Sequence, residues 1–269
     1  MNILIIGGGN MGRTFARAFV NAHVVSRDHL YILERKKEER IRDLSRLDIA
    51  HIETDLSAVK QADLVILAVK PQDAPALFSQ IESFVDPGQV ILSVMAGITM
   101  EQIRQALGSP KIVRAMPNLP SQIGAGMTAF TATDEVSRLE IGTIQNLLAT
   151  TGKTLYVEEE EKIDAVTAIS GSGPAYVYFF MDALIRAARD MGFSEGDANL
   201  LVQQTFSGAL SLFRQNSLSC EDWIQKVASK GGTTEAALKA FGETQLTEAI
   251  STGAQAALTR AQELGSQKD

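Results

Sequence analysis

Six consecutive residues near the amino terminus, Gly7-Gly8-Gly9-Asn10-Met11-Gly12, constrain the fold more than any other feature of this chain. They fit the pattern G-x-G-x-x-G, directly after an apolar run at residues 2–6 and directly before an amphipathic stretch at residues 13–21. In such a strand-turn-helix unit the first glycine permits the tight turn, the second lets the backbone approach a pyrophosphate, and the third lets the helix pack on the strand. The amino terminus of the helix then receives the phosphates. We therefore predict that Gly7, Gly9, Asn10, Met11 and Gly12 bind a dinucleotide.

The first half of the chain alternates short apolar runs with longer amphipathic stretches, as parallel strands joined by crossover helices do. Strands are predicted at residues 2–6, 30–34, 51–53, 63–68, 89–93 and 111–116, and two more, at 127–131 and 154–157, flank a helix at about 134–149. From the four glutamates at 158–161 onward the periodicity is helical. We therefore predict an α/β fold, with a Rossmann-type doubly wound sheet in residues 1–158 and an all-helical domain in residues 159–269.

One predicted helix of the second half has no polar face. It should begin near Pro174, because proline is favoured at the first helical position. Its segment 175–181 is entirely apolar, and a helix that is apolar all round must be covered. A partner subunit and the interior of a single chain would both cover it, and the sequence leaves the two alternatives open.

Three loops should meet at one edge of the sheet, because open α/β sheets bind ligands at the carboxyl ends of their strands. The first contains Ala68, Val69, Lys70, Pro71 and Gln72; the second, residues 93–97, contains Ala96 and Gly97; the third, residues 114–120, contains Asn118. Each loop alone could be a turn shaped by glycine or proline. Their shared location favours a ligand site.

The end of the second predicted strand gives conflicting indications about the dinucleotide. Glu34 lies 22 residues beyond Gly12, where a carboxylate could accept hydrogen bonds from an adenosine ribose, which favours NADH. Arg35 and two lysines follow where a 2′-phosphate would lie, which favours NADPH. A charged helical turn on the surface would explain the same residues. The residues alone leave the preference open.

In the second half, residues 230–235 read as a flexible turn before a helix, with Thr233 or Thr234 as its N-cap. Backbone amides at such a helix start could bind a small carboxylate, and a threonine hydroxyl could add a donor. Glu235 would work against a bound anion. A plain capped helix start explains the same residues.

Composition and charge exclude several classes of protein. The net charge of -7 provides no electrostatic footprint for nucleic acid, and no apolar run reaches the roughly 18 residues of a membrane span. The amino terminus lacks the layout of a signal peptide, and a single cysteine, Cys220, permits no internal disulfide. We therefore expect a cytoplasmic protein. The three histidines show no metal-ligand spacing, so no metal is expected.

Six motifs in order along the chain resemble those of the pyrroline-5-carboxylate reductase family. They lie at residues 7–12, 68–72, 95–97, 114–120, 170–176 and 231–234. The resemblance implies a Rossmann domain with a helical dimerisation domain, a homo-oligomer built on a dimer through the carboxyl-terminal helices, and an active site between the domains. It also implies reduction of the C=N bond of 1-pyrroline-5-carboxylate to L-proline by NADPH, with NADH possible.

Site residues follow from the resemblance by position. Residues 7–12 and 69–72 would hold the cofactor, with Ala96, Gly97 and Asn118 near the nicotinamide. Gly231, Gly232, Thr233 and Thr234 would hold the substrate carboxylate, and Thr234 or a bound water would assist the ring nitrogen. Two residues depart from the family's pattern: Lys230 replaces a common proline, and Leu119 replaces a common threonine. Lys230 would change the rigidity of its loop or add charge beside the carboxylate.

Two other functions compete with this one. A β-hydroxyacid or imine reductase could share the two-domain build, but such hydroxyacid enzymes carry a catalytic lysine on the central helix. Residues 175–190 contain Arg186 and Arg189 and no lysine. A nucleotide-binding sensor could use the fold without turnover. The predicted carboxylate site at residues 231–234 argues against a sensor, because a sensor would not need such a site.

Overall fold

The computed structural model describes residues 1–34 and 38–266. By its internal contacts the chain divides into two compact units, one formed by Met1–Ser172 with Ala257–Asp269 and the other by Gly173–Ala256. Residues 159–172 thus group with the sheet unit by their contacts. The placement of the domain boundary at residue 158 stays a prediction.

The described residues form one sheet of eight strands. The strands are β1 (Ile3–Ile6), β2 (Leu30–Leu33), β3 (His51–Glu53), β4 (Leu64–Leu67), β5 (Val90–Ser93), β6 (Ile112–Met116), β7 (Gly126–Ala132) and β8 (Gly152–Tyr156). Their order is β3-β2-β1-β4-β5-β6-β7-β8, and every neighbouring pair is parallel except β6 and β7. The connection between β6 and β7 is too short for a crossover, so β7 runs antiparallel. The predicted Rossmann-type sheet is confirmed.

Helices connect the strands and make up the second unit. They are α1 (Asn10–Asn21), α2 (Glu38–Leu47), α3 (Ala74–Ile81), α4 (Met100–Leu107), α5 (Arg138–Ala149), α6 (Glu161–Val166), α7 (Gly173–Asp190), α8 (Glu195–Arg214), α9 (Cys220–Val227), α10 (Thr233–Glu243) and α11 (Leu246–Ser266). A π-helical segment, Thr167–Gly171, lies between α6 and α7. Helix α5 begins later than expected, because Ser137 and Glu140 form a capping box.

Both faces of the central strands β1, β4 and β5 are covered, which explains why these strands are apolar along almost their whole length. Along β1, Ile3 and Ile5 belong to one buried cluster, together with Phe15 of α1. Leu4 and Ile6 belong to the cluster on the opposite face. Successive side chains of a strand point to opposite faces, so a strand that is covered twice shows no alternation of polar and apolar residues.

An ion-pair cluster centred on Arg114 connects the sheet to two helices. The Arg114 side chain on β6 is only 2% exposed, and its Nη1 and Nη2 donate to Glu160 Oε1 at 3.0 Å and to Asp164 Oδ1 at 2.5 Å. The same Glu160 oxygen accepts the Met100 amide at the start of α4, at 2.8 Å. Glu160, in the glutamate run at 158–161, therefore neutralises a buried cation in addition to preceding α6.

The helices of the second unit bury few side chains in a single chain. Helices α7, α9 and α10 contain no buried residue, and α8 buries only Ala198 and Val202. In the apolar segment 175–181, Val177, Tyr178 and Phe179 are exposed, Phe179 by 71%. The interior of a single chain therefore does not cover this face of α7.

Glu140 should stabilise the fold in a pH-dependent way. Hydrogen bonds from the Lys111 ammonium and from Ser137 lower the pKa of Glu140 to about 2. Because the folded-state pKa is depressed, this stabilisation is present above the ordinary carboxylate range and is lost as the pH falls from about 4.5 to about 2. We expect Glu140→Gln to lower the free energy of unfolding by about 1 kcal/mol at pH 7.

Urea unfolding over a pH series tests this expectation. The difference between wild type and Glu140→Gln should shrink below pH 4.5 and vanish near pH 2. Glu135→Gln is the matched control, since the pair that Glu135 forms with Arg104 is longer, at 3.4 Å, and more exposed. A difference that stays the same from pH 7 to pH 2 would contradict the assignment.

Candidate functional site

A cleft of about 870 Å³ lies at the carboxyl ends of β1 and β4. This is the edge at which open α/β sheets bind ligands. Its lining comes from the glycine turn, the end of β2, the loop after β4 and one face of α3. The lining residues are Ile6, Gly7, Gly9, Asn10, Arg13, Leu33, Glu34, Leu56, Ala68, Val69, Lys70, Gln72, Asp73, Ala76, Leu77 and Gln80.

Two glycines of the turn are required by close backbone contacts. Gly7 has φ +110°, and a Cβ on it would lie 2.7 Å from the Ala68 carbonyl oxygen. A Cβ on Gly12 would overlap the carbonyl oxygen of Gly7. Larger residues at either position would push α1 or the loop after β4 away from β1. Gly7 and Gly12 therefore shape the turn and bring the helix close to the strand.

Gly9 is different, because its Cα faces open space. It is the N-cap of α1 with an ordinary φ of −73°, and a Cβ there would have no neighbour within 4 Å. No side chain caps the helix, and its first turn contains no acidic residue. The first amides of α1 and the positive end of the helix dipole are thus available to an anion. This geometry fits a dinucleotide pyrophosphate.

Of the other residues in the motif, Asn10 lines the cleft and Met11 does not. The side chain of Met11 packs against the buried cluster that contains Phe15. Met11 can therefore contribute only its backbone amide to a bound phosphate.

Glu34 lies at the end of β2, as predicted, and lines the cleft. The residue is 6% exposed, and its Oε2 accepts a hydrogen bond from the Gly8 amide at 3.3 Å. Its carboxylate therefore contacts the glycine turn itself. Arg35 and the two lysines after it lie outside the described residues, so the indication for a 2′-phosphate stays a prediction.

The loop after β4 lines the cleft through Ala68, Val69, Lys70 and Gln72, whereas Pro71 begins a 3-10 turn outside the lining. Cofactor binding by this loop stays a prediction. The contribution of α3, which adds Ala76, Leu77 and Gln80 to the lining, was not predicted from the sequence. These residues follow Asp73 at spacings of three and four. This helical spacing after the Lys70–Gln72 loop could therefore have predicted that one face of α3 lines the cleft.

Ala96 and Gly97 are not part of the cleft lining. Gly97 has φ +77°, and a Cβ on it would lie 2.7 Å from Leu264 Cβ in the last turns of α11. Gln102 Nε2 also donates to the Gly265 carbonyl at 2.9 Å. The carboxyl-terminal turn of α11 thus packs on the loop after β5. A position near the nicotinamide stays a prediction for both residues.

Asn118, also outside the cleft lining, uses its side chain to hold the loop after β6. Its Nδ2 donates to the Ser170 carbonyl at 3.2 Å and approaches Ser170 Oγ at 3.3 Å. Its Oδ1 accepts the Met127 amide at 2.9 Å. Asn118 therefore links the start of β7 to the π-helical segment. Proximity to the nicotinamide again stays a prediction.

The proposed carboxylate loop lies in the second unit, where Gly231 to Thr234 form a helix start. The N-cap of α10 is Gly232, so the prediction of Thr233 or Thr234 was wrong. Extended backbone at Gly232 places both threonines inside the first turn, where neither side chain can cap it. The Gly231 amide donates to Glu235 Oε2 at 2.6 Å. Within the described chain, the Thr234 hydroxyl makes no hydrogen bond.

In residues 1–34 and 38–266, no three or more His, Cys, Asp or Glu side chains cluster in a way that could hold a metal ion. Over the same residues, no helix is both long enough and apolar enough to cross a membrane.

Comparisons with known protein families agree with the two-part organisation. Residues 2–97 match the family described as NADP oxidoreductase coenzyme F420-dependent. Residues 160–264 match the family described as pyrroline-5-carboxylate reductase dimerisation. The first match contains the glycine turn and the loops after β4 and β5, and the second contains the helices α7 to α10.

Individual relatives cover almost the whole chain. Pyrroline-5-carboxylate reductase of Haemophilus influenzae is 34% identical over 264 residues, which are 97% of each chain. The structure of a pyrroline-5-carboxylate reductase from Coxiella burnetii has a TM-score of 0.89 at 31% identity and 99% coverage of both chains. The fold is also that of Plasmodium falciparum pyrroline carboxylate reductase with NADP bound, with a TM-score of 0.88, 24% identity and coverage of 99% and 98%. By its sequence, its sheet and its helical half, this chain belongs to the pyrroline-5-carboxylate reductase family.

Proposed function

We propose that this protein reduces the C=N bond of 1-pyrroline-5-carboxylate to give L-proline, with NADPH as the hydride donor. The observation that carries the proposal is the open glycine at the uncapped start of α1, facing a cleft in a chain of this family. We propose the cytoplasm as its location, which the single exposed cysteine, Cys220, supports.

The cofactor would be held by the cleft of the first unit. The amides of the first turn of α1 would bind the pyrophosphate, and Lys70 would add a positive charge at the cleft wall. NADPH is favoured by the NADP oxidoreductase family that residues 2–97 match, and Arg35 would pair with a 2′-phosphate. When bound, the reduced nicotinamide supplies the hydride for the imine carbon.

The substrate carboxylate would be held by the start of α10. Because Glu235 accepts the Gly231 amide and the Ser229 carbonyl accepts the Gly232 amide at 2.9 Å, the amides of Thr233 and Thr234 are the ones that would bind it. The half-buried Thr234 hydroxyl has no partner in the described chain, so it can donate to the substrate carboxylate or to the ring nitrogen. The main task of these residues is to orient the ring and exclude water, which requires no strong acid or base.

We further propose that the active protein is a dimer formed through the second unit. Its helices expose Val177, Tyr178 and Phe179 on α7 and Leu200 and Leu201 on α8. Helices α7 and α8 pack on each other, and exposed large apolar side chains on such a helix pair are typical of a protein interface. Residues 160–264 also match a family described as a dimerisation domain.

Turnover by the purified protein tests the function directly. We expect 1-pyrroline-5-carboxylate to cause NADPH oxidation at 340 nm and L-proline to accumulate in equal amounts. NADH in place of NADPH measures the cofactor preference. Cofactor binding without turnover would reject the reductase and favour the sensor or another imine or hydroxyacid substrate.

Gly9→Ala tests whether the cleft is the cofactor site. The new methyl group enters open space, so the melting temperature should stay close to that of wild type, while affinity for both cofactors falls about tenfold or more. Gly142→Ala is the matched control, since that methyl group also meets no neighbour but lies on α5, away from the cleft. Equal cofactor affinity in Gly9→Ala and wild type would contradict the assignment of this cleft as the cofactor site.

Thr234→Ala tests the role of the hydroxyl. Loss of one hydrogen bond to a charged group should lower kcat/KM for the imine about tenfold, with KM for NADPH unchanged. Thr234→Ser keeps the hydroxyl and should recover most of the activity. Unchanged kinetics in Thr234→Ala would remove the threonine from the proposal.

Phe179→Glu tests the interface. Phe179 is 71% exposed in one chain, so a glutamate costs little in a monomer but places a charge in a buried dimer contact. Sedimentation should show at least a tenfold weaker self-association. Leu139→Glu is the control, because Leu139 is 81% exposed on α5 of the first unit. A dimer of unchanged affinity in Phe179→Glu would contradict the proposed interface.

A further inference from the structure

A positively charged side chain stands at the mouth of the cleft, immediately after the glycine motif. Arg13 is the fourth residue of α1 and lines the cleft together with Gly9 and Asn10. Its side chain is half-buried, and its Nη2 donates to Asn10 Oδ1 at 3.2 Å. The guanidinium is therefore held beside the residues that surround the start of the helix.

This location is electrostatically unfavourable in the absence of an anion. The amino-terminal turn of a helix carries partial positive charge, so a cation there is repelled by about 0.3–1 kcal/mol. The first turn of α1 contains no acidic residue that would offset the repulsion. Of the acidic residues that line the cleft, Glu34 contacts the Gly8 amide, and neither Glu34 nor Asp73 forms a salt bridge with Arg13 in the described chain.

We propose that Arg13 binds a phosphate group of the dinucleotide. The planar guanidinium can donate two parallel hydrogen bonds to phosphate oxygens while the first amides of α1 donate to the same ligand. The bond to Asn10 orients the side chain before the ligand arrives, which reduces the entropy lost on binding. This inference rests on the proposed function, since it takes the cleft to be the cofactor site.

Direct binding of NADPH and of NADH to the full-length protein, measured by calorimetry, tests the role of Arg13. Arg13→Met should weaken binding about tenfold, the usual effect of one lost charge-assisted hydrogen bond. Arg17→Met is the matched control, because Arg17 is exposed one turn later on α1 and does not line the cleft. Arg13→Lys should recover part of the affinity, since it keeps the charge and loses the planar fork.

The pattern across the two cofactors distinguishes the two phosphate sources. Weaker binding of both NADPH and NADH would identify the pyrophosphate, and weaker binding of NADPH alone would identify the 2′-phosphate. Unchanged affinity for both, with wild type binding normally, would overturn the role of Arg13 and leave the proposed function intact. If wild type binds neither cofactor, the proposed function itself fails.

A structural role for Arg13 would give a different result. Loss of helix stability would lower the melting temperature of Arg13→Met without ligand and would leave the salt dependence of binding unchanged. A phosphate contact predicts an unaltered melting temperature and a variant whose affinity falls less steeply with added KCl than that of wild type.

Discussion

The guanidinium of Arg114, on strand β6, is buried and must therefore be paired with opposite charges. The positions of the neighbouring helices α4 and α6 follow from that requirement. A charge that loses one partner in a buried pair costs about 3–5 kcal/mol, so the two carboxylates at the start of α6 are held against β6. One of them, Glu160, also accepts the first amide of α4. The guanidinium and its two carboxylates thereby position α6, and the π-helical segment that follows α6 contains Ser170. Through Ser170 the constraint extends to Asn118 and to the loop after β6.

The same motif can serve folding at some positions and binding at others. Gly7 and Gly12 lack side chains because neighbouring backbone atoms occupy the space a Cβ would need. Gly9 lacks one although the space is empty. An empty position in an otherwise tightly packed turn is understood most simply as room for a ligand. This contrast, rather than the motif itself, separates a nucleotide-binding turn from a glycine-rich turn that merely reverses the chain.

Local patterns predicted much of the fold, and contacts between distant residues account for what they missed. All eight strands lie within two residues of the predicted limits. The central strands β1, β4 and β5 were the plainest, because strands buried on both faces are continuous apolar runs. The start of α5 depends on which of several nearby serines and threonines reaches a backbone amide, whereas α10 begins at a glycine with no side-chain cap. The bond between Asn118 and Ser170 joins residues 52 positions apart, and no short-range pattern records it. The three residues of α3 that line the cleft follow a helical spacing. Their part in the cleft becomes evident only when its position in the fold is known.

The contact between Gly97 and the end of α11 restricts the number of residues that α11 can contain. A Cβ on Gly265 would lie 2.6 Å from the Gly97 carbonyl oxygen, so two glycines face each other where the helix meets the loop. Each residue of an α-helix turns by about 100° and advances by about 1.5 Å. One residue inserted into α11 would rotate Gly265 away and present a side chain to Gly97. The close approach of Gly97 and Gly265 therefore fixes the register of this last helix to the single residue.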